Sequence, residues 1–433
     1  MDAISFLGLG KYEEAVYRWD KQECRTRFFA EAVCQFFRPE RVYLFVTEGA
    51  RRQEAFAALQ GEMGPRLIPV PIPDGQSEQE LWQIFEKVAE AVPVQPGSRL
   101  VFDITHGFRS LPFLTFLAMA YLGRAKGVVI ERVVYGAFEA RDQSQSPPLV
   151  PVFDLTPFLS LLDWLTAVEA LQRRDDAQFL AELLEEAHDN PWRSSGGRGD
   201  PGEMPRFLDD AAGALRRLSA AMHLARPLEV MGAADRLRQA LPRVRGEVAR
   251  WAKPFSVLLK QVEGEYAPFA HDEPQRLDKE HLRCQLDLIR RYVDKKMVAE
   301  AILLAREWLV NVVLLHSGPE SWLDRDCRLE IEEALNQETS LRIRHRSSDH
   351  RRLTPEEVLN QETSLQNSPL DNVPCADAIV GEWQFVGDLR NDIAHCGFRE
   401  QPRSLNSIVR DVASLPERLG RLLPGERTEE GVG

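Results

Sequence analysis

This chain lacks any close pair of cysteines of the kind that marks a zinc site. The six occur singly at positions 24, 34, 284, 327, 375 and 396, without a C-x-x-C pair. That spacing indicates neither a structural zinc site nor a disulfide framework, which fits a reducing compartment. Long apolar runs are missing as well. No stretch approaches the roughly 18 apolar residues of a membrane span, and the chain opens directly into Ala3–Ile4–Ser5–Phe6–Leu7 rather than a charged-then-apolar leader. The expectation is a cytoplasmic protein with no membrane attachment. An excess of positive charge is also absent: 54 basic against 67 acidic residues leave a net charge of −13. Such a balance opposes general adhesion to nucleic acid, so any RNA contact has to come from a local basic pocket. Finally, there is no G-x-x-x-x-G-K-[ST] loop, and Gly8-x-Gly10 lacks the third glycine of a dinucleotide fingerprint. An ordinary ATPase and a nicotinamide or flavin enzyme are both disfavoured.

What is present divides into two halves. A length of 433 residues with 44% hydrophobic content suggests two or three domains with ample cores. In residues 1–155, apolar or β-branched runs at Ala3–Leu9, Val42–Thr47, Leu67–Val70, Leu100–Thr105 and Val128–Tyr135 alternate with helical stretches at Tyr12–Phe37, Glu78–Ala91 and Ser110–Gly123. Near-continuous apolar strands joined by helices predict a parallel sheet covered on both faces, an α/β Rossmann-like domain. From Thr156 the strand signal vanishes. Residues 156–205 read as a helical connector, Phe158–His188, followed by a linker dense in Gly, Pro and Ser, Asn190–Pro205.

Residues 206–425 carry helix-period apolar patterns, interrupted around Pro227, Pro242, Pro254 and Pro268–Pro274, with Met297–His316 the strongest helix. The polar region 319–375 reads as a surface insertion. It holds an internal duplication, Leu335–Leu341 repeated at Leu359–Leu365; a single repeat is too little for a solenoid. Closing helices are expected at Ala376–His395 and Leu405–Leu423, followed by a tail.

In an open parallel sheet, ligands gather beyond the carboxyl ends of the strands. Three such ends here are chemically suggestive. The first strand runs into Gly8, Gly10 and Lys11, where glycines admit a ligand close to the backbone and the lysine adds charge. The second ends at Thr47 and Glu48. The fourth ends in Thr105–His106–Gly107–Phe108–Arg109–Ser110, just before a helix. Free N–H groups at a helix start favour an anion, and Arg109 can pair with phosphate while Thr105 and Ser110 offer hydroxyls. Gly136, after the fifth strand, can complete the pocket. The alternatives are a structural role for His106 and simple helix capping by Ser110.

Near the other end lies Arg390–Asn391–Asp392–Ile393–Ala394–His395. It follows Trp383, Phe385, Val386 and Leu389 and ends at Gly397, a helix stop. An arginine and a histidine supply a fixed positive charge and a titratable proton carrier, the two things that metal-free cleavage of an RNA phosphodiester needs. The spacing alone is weak, because Arg276 and His281 repeat it, although in a charged, solvated-looking stretch.

Taken together, Phe6–Tyr12, Asp103–Ser110, Tyr135–Glu139 and Asp154–Phe158 resemble the sensor (CARF) domain of CRISPR-associated type III accessory ribonucleases. Arg390–His395 resembles the R-x4-6-H signature of their all-α HEPN nuclease domain. The resemblance covers both ends of the chain and leaves the middle helices without a motif. It implies a homodimeric or higher, ligand-activated endoribonuclease acting on single-stranded RNA. It needs no metal or cofactor, and is switched on by cyclic oligoadenylate bound across two sensor domains; cyclic tetra-adenylate is the commoner ring in similar proteins. Arg390, Asn391 and His395 would be catalytic. Two other readings stay open: a non-catalytic cyclic-nucleotide-sensing regulator, and a sensor that also cleaves its own ring.

Overall fold

The computed structural model describes residues 1–106, 111–196, 200, 202–318, 321–346, 368–398 and 400–423. Contacts divide the chain into two units, Met1–Leu165 and Thr166–Gly433.

The first unit is built on an eight-stranded mixed sheet: β1 Asp2–Leu7, β2 Ala15–Trp19, β3 Gln22–Thr26, β4 Val42–Thr47, β5 Leu67–Ile72, β6 Arg99–Asp103, β7 Val129–Gly136 and β8 Leu149–Asp154, in the order β3-β2-β8-β7-β6-β1-β4-β5. The five strands expected from the sequence form its parallel part, β5-β4-β1-β6-β7. Every residue of β1 and of β4 is buried, as a strand covered on both faces requires. Their side chains alternate between two cores. Ala3, Leu7, Val42, Leu44 and Val46 pack under α1 (Phe29–Phe37), α2 (Glu48–Arg51) and α3 (Glu54–Met63). Ile4, Phe6, Tyr43 and Phe45 pack under α4 (Glu78–Glu90) and α5 (Leu111–Lys126). After the β2–β3 hairpin at one edge, the chain adds β4 and β5 on one side of β1, then returns to β6 on the other. That reversal opens a crevice beyond the carboxyl ends of β1 and β6.

Two expectations about this unit need correction. The sheet is not wholly parallel, because β8 runs antiparallel to β7 and is followed by β2 and β3. In addition, Tyr12–Phe37 is not one helix: Ala15–Thr26 folds as the β2–β3 hairpin, and only Phe29–Phe37 is helical. Ala15, Tyr17, Cys24 and Thr26 point inward while Arg18, Glu23 and Arg25 point out, a period of two. Arg18 and Glu23 face each other across the ladder at 2.6 Å. The two-residue turn Asp20–Lys21 puts Asp20 at a φ of 53°, which Asp tolerates better than most residues.

The second unit is all-helical in its described residues. Its helices are α6 Thr156–Arg174, which begins in the first unit, α7 Gln178–Ser194, α8 Leu208–His223, α9 Pro227–Trp251, α10 Lys253–Tyr266, α11 Lys279–Asp294, α12 Val298–Ser317, α13 Arg325–Arg346, α14 Ala376–Ala394, α15 Leu405–Ala413 and α16 Leu415–Gly420. The connector is not one helix. It breaks at Asp175, whose buried carboxylate accepts from Tyr266 Oη (2.7 Å) and from the Arg291 guanidinium. The linker expected from Asn190 starts later, since α7 runs through Pro191 to Ser194, and α9 likewise continues through Pro242. Nor is 319–375 simply a surface insertion. The first heptapeptide copy lies in α13, with Leu335 wholly buried and Asn336 Oδ1 accepting from Trp383 Nε1 of α14 at 2.9 Å. The second copy lies outside the described residues. Among the described residues, no helix is long and apolar enough to cross a membrane.

Candidate functional site

The crevice at the ends of β1 and β6 is assembled by parallel pairing. The register Ala3↔Val101 and Ile4↔Phe102 sets Ser5 beside Asp103. Asp103 is wholly buried and accepts from Ser5 Oγ (2.6 Å) and from the Thr105 N–H (2.8 Å). Burial pushes its carboxyl up, against the pull of nearby His106 and of these donors. His106 shifts the other way: burial drives it below the ordinary histidine range, with the Asp103 charge opposing. Its Nε2 is buried without a hydrogen-bond partner, and its ring meets Tyr12 edge-on at 4.9 Å. Tyr12 closes the loop after β1, its hydroxyl accepting from the Gly8 N–H (2.9 Å) and donating to the Gly8 carbonyl (3.0 Å). Burial raises that hydroxyl to about 12.

Other expected residues take varied places at this edge. A Cβ on Gly8 would lie 3.5 Å from the His106 carbonyl, and one on Gly49 would lie 3.5 Å from Leu9, so the β1, β4 and β6 ends converge. Gly10 and Lys11 are exposed there. Thr47 is buried and caps α2 by accepting from the Ala50 N–H (3.3 Å), while exposed Glu48 pairs with Arg52 at 3.0 Å. Thr105 Oγ1 accepts from the Gly136 N–H at 2.9 Å, which ties β6 to β7. Gly136 has a packing reason of its own: a Cβ would come within 2.8 Å of the Phe29 ring. Gly107, Phe108, Arg109 and Ser110 lie outside the described residues. Ser5 was not singled out from the sequence, and Tyr12 and Asp103 were noted only within longer segments, not as site residues. For Ser5 and Asp103 the signal was a polar residue in each of two neighbouring apolar strands.

In the helical unit, α14 buries Ile379, Val380, Trp383, Val386 and Leu389 and leaves Arg390 exposed. Arg390 Nη1 donates to Asn391 Oδ1 at 3.3 Å. His395 is the C-cap and is exposed, its N–H donating to the Asn391 carbonyl at 3.2 Å. The helix stops in two left-handed residues, Cys396 (φ 53°) and Gly397 (φ 73°), with the Gly397 N–H returning to the Asp392 carbonyl. Asp392 is buried and accepts from the Arg403 N–H. Arg390 and His395 thus stand open to solvent at the helix end, with Asn391 half-buried beside them.

The other arginine–histidine pair is not a site of this kind: Arg276 is exposed, as the sequence suggested, but His281 is not. His281 is wholly buried, with Nε2 on the Pro274 carbonyl (3.1 Å) and Nδ1 on Gln285 Nε2 (2.9 Å). Burial lowers it to about 4, so it is neutral and fixed in place. Among the described residues, no group of three or more His, Cys, Asp or Glu side chains is arranged to hold a metal ion.

Residues 160–268 match the family model described as CRISPR-associated protein MJ1674, second domain. The protein of that name from Methanocaldococcus jannaschii is 24% identical over 112 residues, which are 26% of this chain and 17% of that protein's length. The aligned part is therefore a small share of the relative. Among solved structures, Enterococcus italicus Csm6 bound to cyclic hexa-2′-fluoro-hexa-dAMP aligns with 98% of this chain and 93% of its own, at 11% identity and a TM-score of 0.41, too loose a likeness to bear on individual residues. The resemblance to CRISPR-associated proteins is borne out, and on the middle helices that carried no motif.

Proposed function

We propose that this chain is a cyclic oligoadenylate-activated, metal-independent endoribonuclease of type III CRISPR defence, working as a homodimer on single-stranded RNA. The observation that carries this reading is the placement of exposed Arg390 and His395, with half-buried Asn391, at a helix end stopped by Cys396 and Gly397, in a chain whose residues 160–268 match a CRISPR-associated domain. The chemistry uses the substrate's own nucleophile. The 2′-hydroxyl oxygen attacks the adjacent phosphorus, its proton is removed, and the bond to the 5′-oxygen breaks as that oxygen gains a proton. The products are a 2′,3′-cyclic phosphate and a 5′-hydroxyl. His395 handles one of these protons, and Arg390 offsets the charge that develops on the phosphoryl oxygens. Asn391 orients the histidine or the phosphate.

Geometry favours a shared site. Five residues turn an α-helix by about 140°, so Arg390 and His395 do not share a face, whereas Asn391 and His395 do. Two copies of the helix end, related by a two-fold axis, can converge on one phosphate. The surroundings support a partner: Phe398 is 90% exposed, Leu405 80% and Val409 57%, an apolar display that water does not favour. The crevice beyond β1 and β6 would seat the ring, its exposed Lys11 and Gly10 offering charge and backbone to phosphates. The test is cleavage: His395→Ala should abolish it and leave ring binding intact. Retained cleavage would refute the assignment.

A further inference from the structure

Arginines in the helical unit are mostly held by carboxylates: Arg216 by Glu185, Arg238 by Asp235, Arg245 by Glu263, Arg306 by Glu332, Arg328 by Glu307. Four exposed ones, Arg217 of α8 and Arg236, Arg243 and Arg250 of α9, have no ion-pair partner among the described residues. They share a face. Arg217, Arg236 and Arg243 line a cleft of about 450 Å³, and Arg243, Arg250 and Trp251 line a second of about 340 Å³. The two clefts meet at Arg243. The Arg250 guanidinium stacks over the Trp251 ring at 4.7 Å.

The local sequence keeps this row unpaired. Asp235, next to Arg236, is occupied by Arg238 and Gln239. Glu247, one turn beyond Arg243, accepts instead from the N–H groups of Arg206 and Phe207, both at 2.8 Å, at the start of α8. Gly232 and Ala240 flank Arg236, each one turn away, and Gly246 lies one turn before Arg250, close to the end of α9. Spacing by seven residues keeps the three α9 arginines nearly in line, about 10.5 Å apart along the axis. Of the acidic groups in the clefts, Glu185 is bound to Arg216, Asp209 and Asp210 sit in the first turn of α8, where they complement the helix dipole, and exposed Glu203 lines the second cleft. Gly213 and Gly246 line the clefts in mid-helix, yet a Cβ on either would meet nothing within 4 Å. Packing does not demand these glycines, and glycine weakens a helix interior; their lack of a side chain leaves the clefts open.

We propose that this face seats single-stranded RNA, with phosphates along the Arg236–Arg243–Arg250 row and a base against Trp251. The inference rests on the ribonuclease reading and adds to it the path of the substrate. A cationic groove beside an aromatic side chain binds single strands with little regard to sequence, and guanidinium groups match phosphate in two-pronged fashion. In a chain of net charge −13, such a row is the kind of local foothold that RNA requires.

The test uses the full chain carrying His395→Ala, so that RNA stays whole, and titrates a fluorescent single-stranded RNA by anisotropy between about 50 and 200 mM salt. Adding Arg236→Gln and Arg243→Gln should weaken binding about tenfold or more and reduce the slope of log K against log salt by about 1.4, at roughly 0.7 for each phosphate no longer neutralised. Gly246→Leu, which fills the second cleft without altering charge, should weaken binding and keep the slope. Unchanged affinity and slope in the arginine pair, or no binding by its parent, overturns the proposal. Cleavage by the unmutated chain is measured separately, so failure of the ribonuclease reading and failure of this RNA path show up in different assays.

Discussion

At His395 the helix ends and the side chain meets solvent, whereas at His281 the same spacing from an arginine leads into the core. The first setting was legible, because Gly397 marks a helix stop in sequence. The second was not: the groups enclosing His281, from Pro274, Gln285 and Trp322, come together only on folding. Two predictions belong here. His281 is held neutral, at about 4 when folded against about 6.5 in an unfolded chain. The unfolded state therefore binds the extra proton first. Stability should fall as pH drops from about 6.5 to about 4, by roughly 3 kcal/mol in all, and His281→Gln should flatten that slope in urea titrations. Ser5→Ala removes a donor from the buried Asp103 carboxylate. It should destabilise the sheet unit by roughly 1–3 kcal/mol, measured by chemical denaturation, whereas Ser5→Thr should recover part of that stability. The Ser5–Asp103 hydrogen bond was hidden from the sequence because it depends on which strands are neighbours.

Among elements, the five parallel strands announced themselves as apolar runs, and α12 and α14 by their periodicity. The β2–β3 hairpin did not, because Glu13, Glu14, Arg18 and Lys21 fit a solvated helix face as readily as the outer face of a ladder. The connector was read as unbroken for a related reason: Asp175 looks like a surface residue until Arg291 and Tyr266 arrive from distant helices. That cluster gives a sharp expectation. Asp175→Ala removes the buried carboxylate shared by Arg291 and Tyr266, leaving Arg291 only its longer pairing with Glu265 at 3.2 Å, and should cost the helical unit about 3 kcal/mol, seen as a lower urea midpoint. Gly213→Ala should act in the opposite direction. With space for the Cβ, it should raise stability by up to about 1 kcal/mol, and a lower thermal midpoint would contradict the view that packing does not require this glycine.

For the molecule as a whole, the sequence carried a sensor-like front, a nuclease-like end and a middle without motifs, and the middle is the part that matches a CRISPR-associated domain. Helical segments that bury an ordinary apolar face leave little motif to read by eye. The activating ring would bias a dimer between inactive and active arrangements, so ligand and RNA cleavage should be coupled through two distinct sites. Arg109→Ala should then weaken ring binding and shift activation to higher ligand concentration, with the fully activated rate little changed. The most direct measurement incubates the purified chain with cyclic tri-, tetra- or hexa-adenylate and an end-labelled single-stranded RNA, with and without a chelator. One ring should trigger cleavage that resists the chelator, leaves 2′,3′-cyclic phosphate ends and disappears in His395→Ala; RNA left intact with every ring would contradict the account.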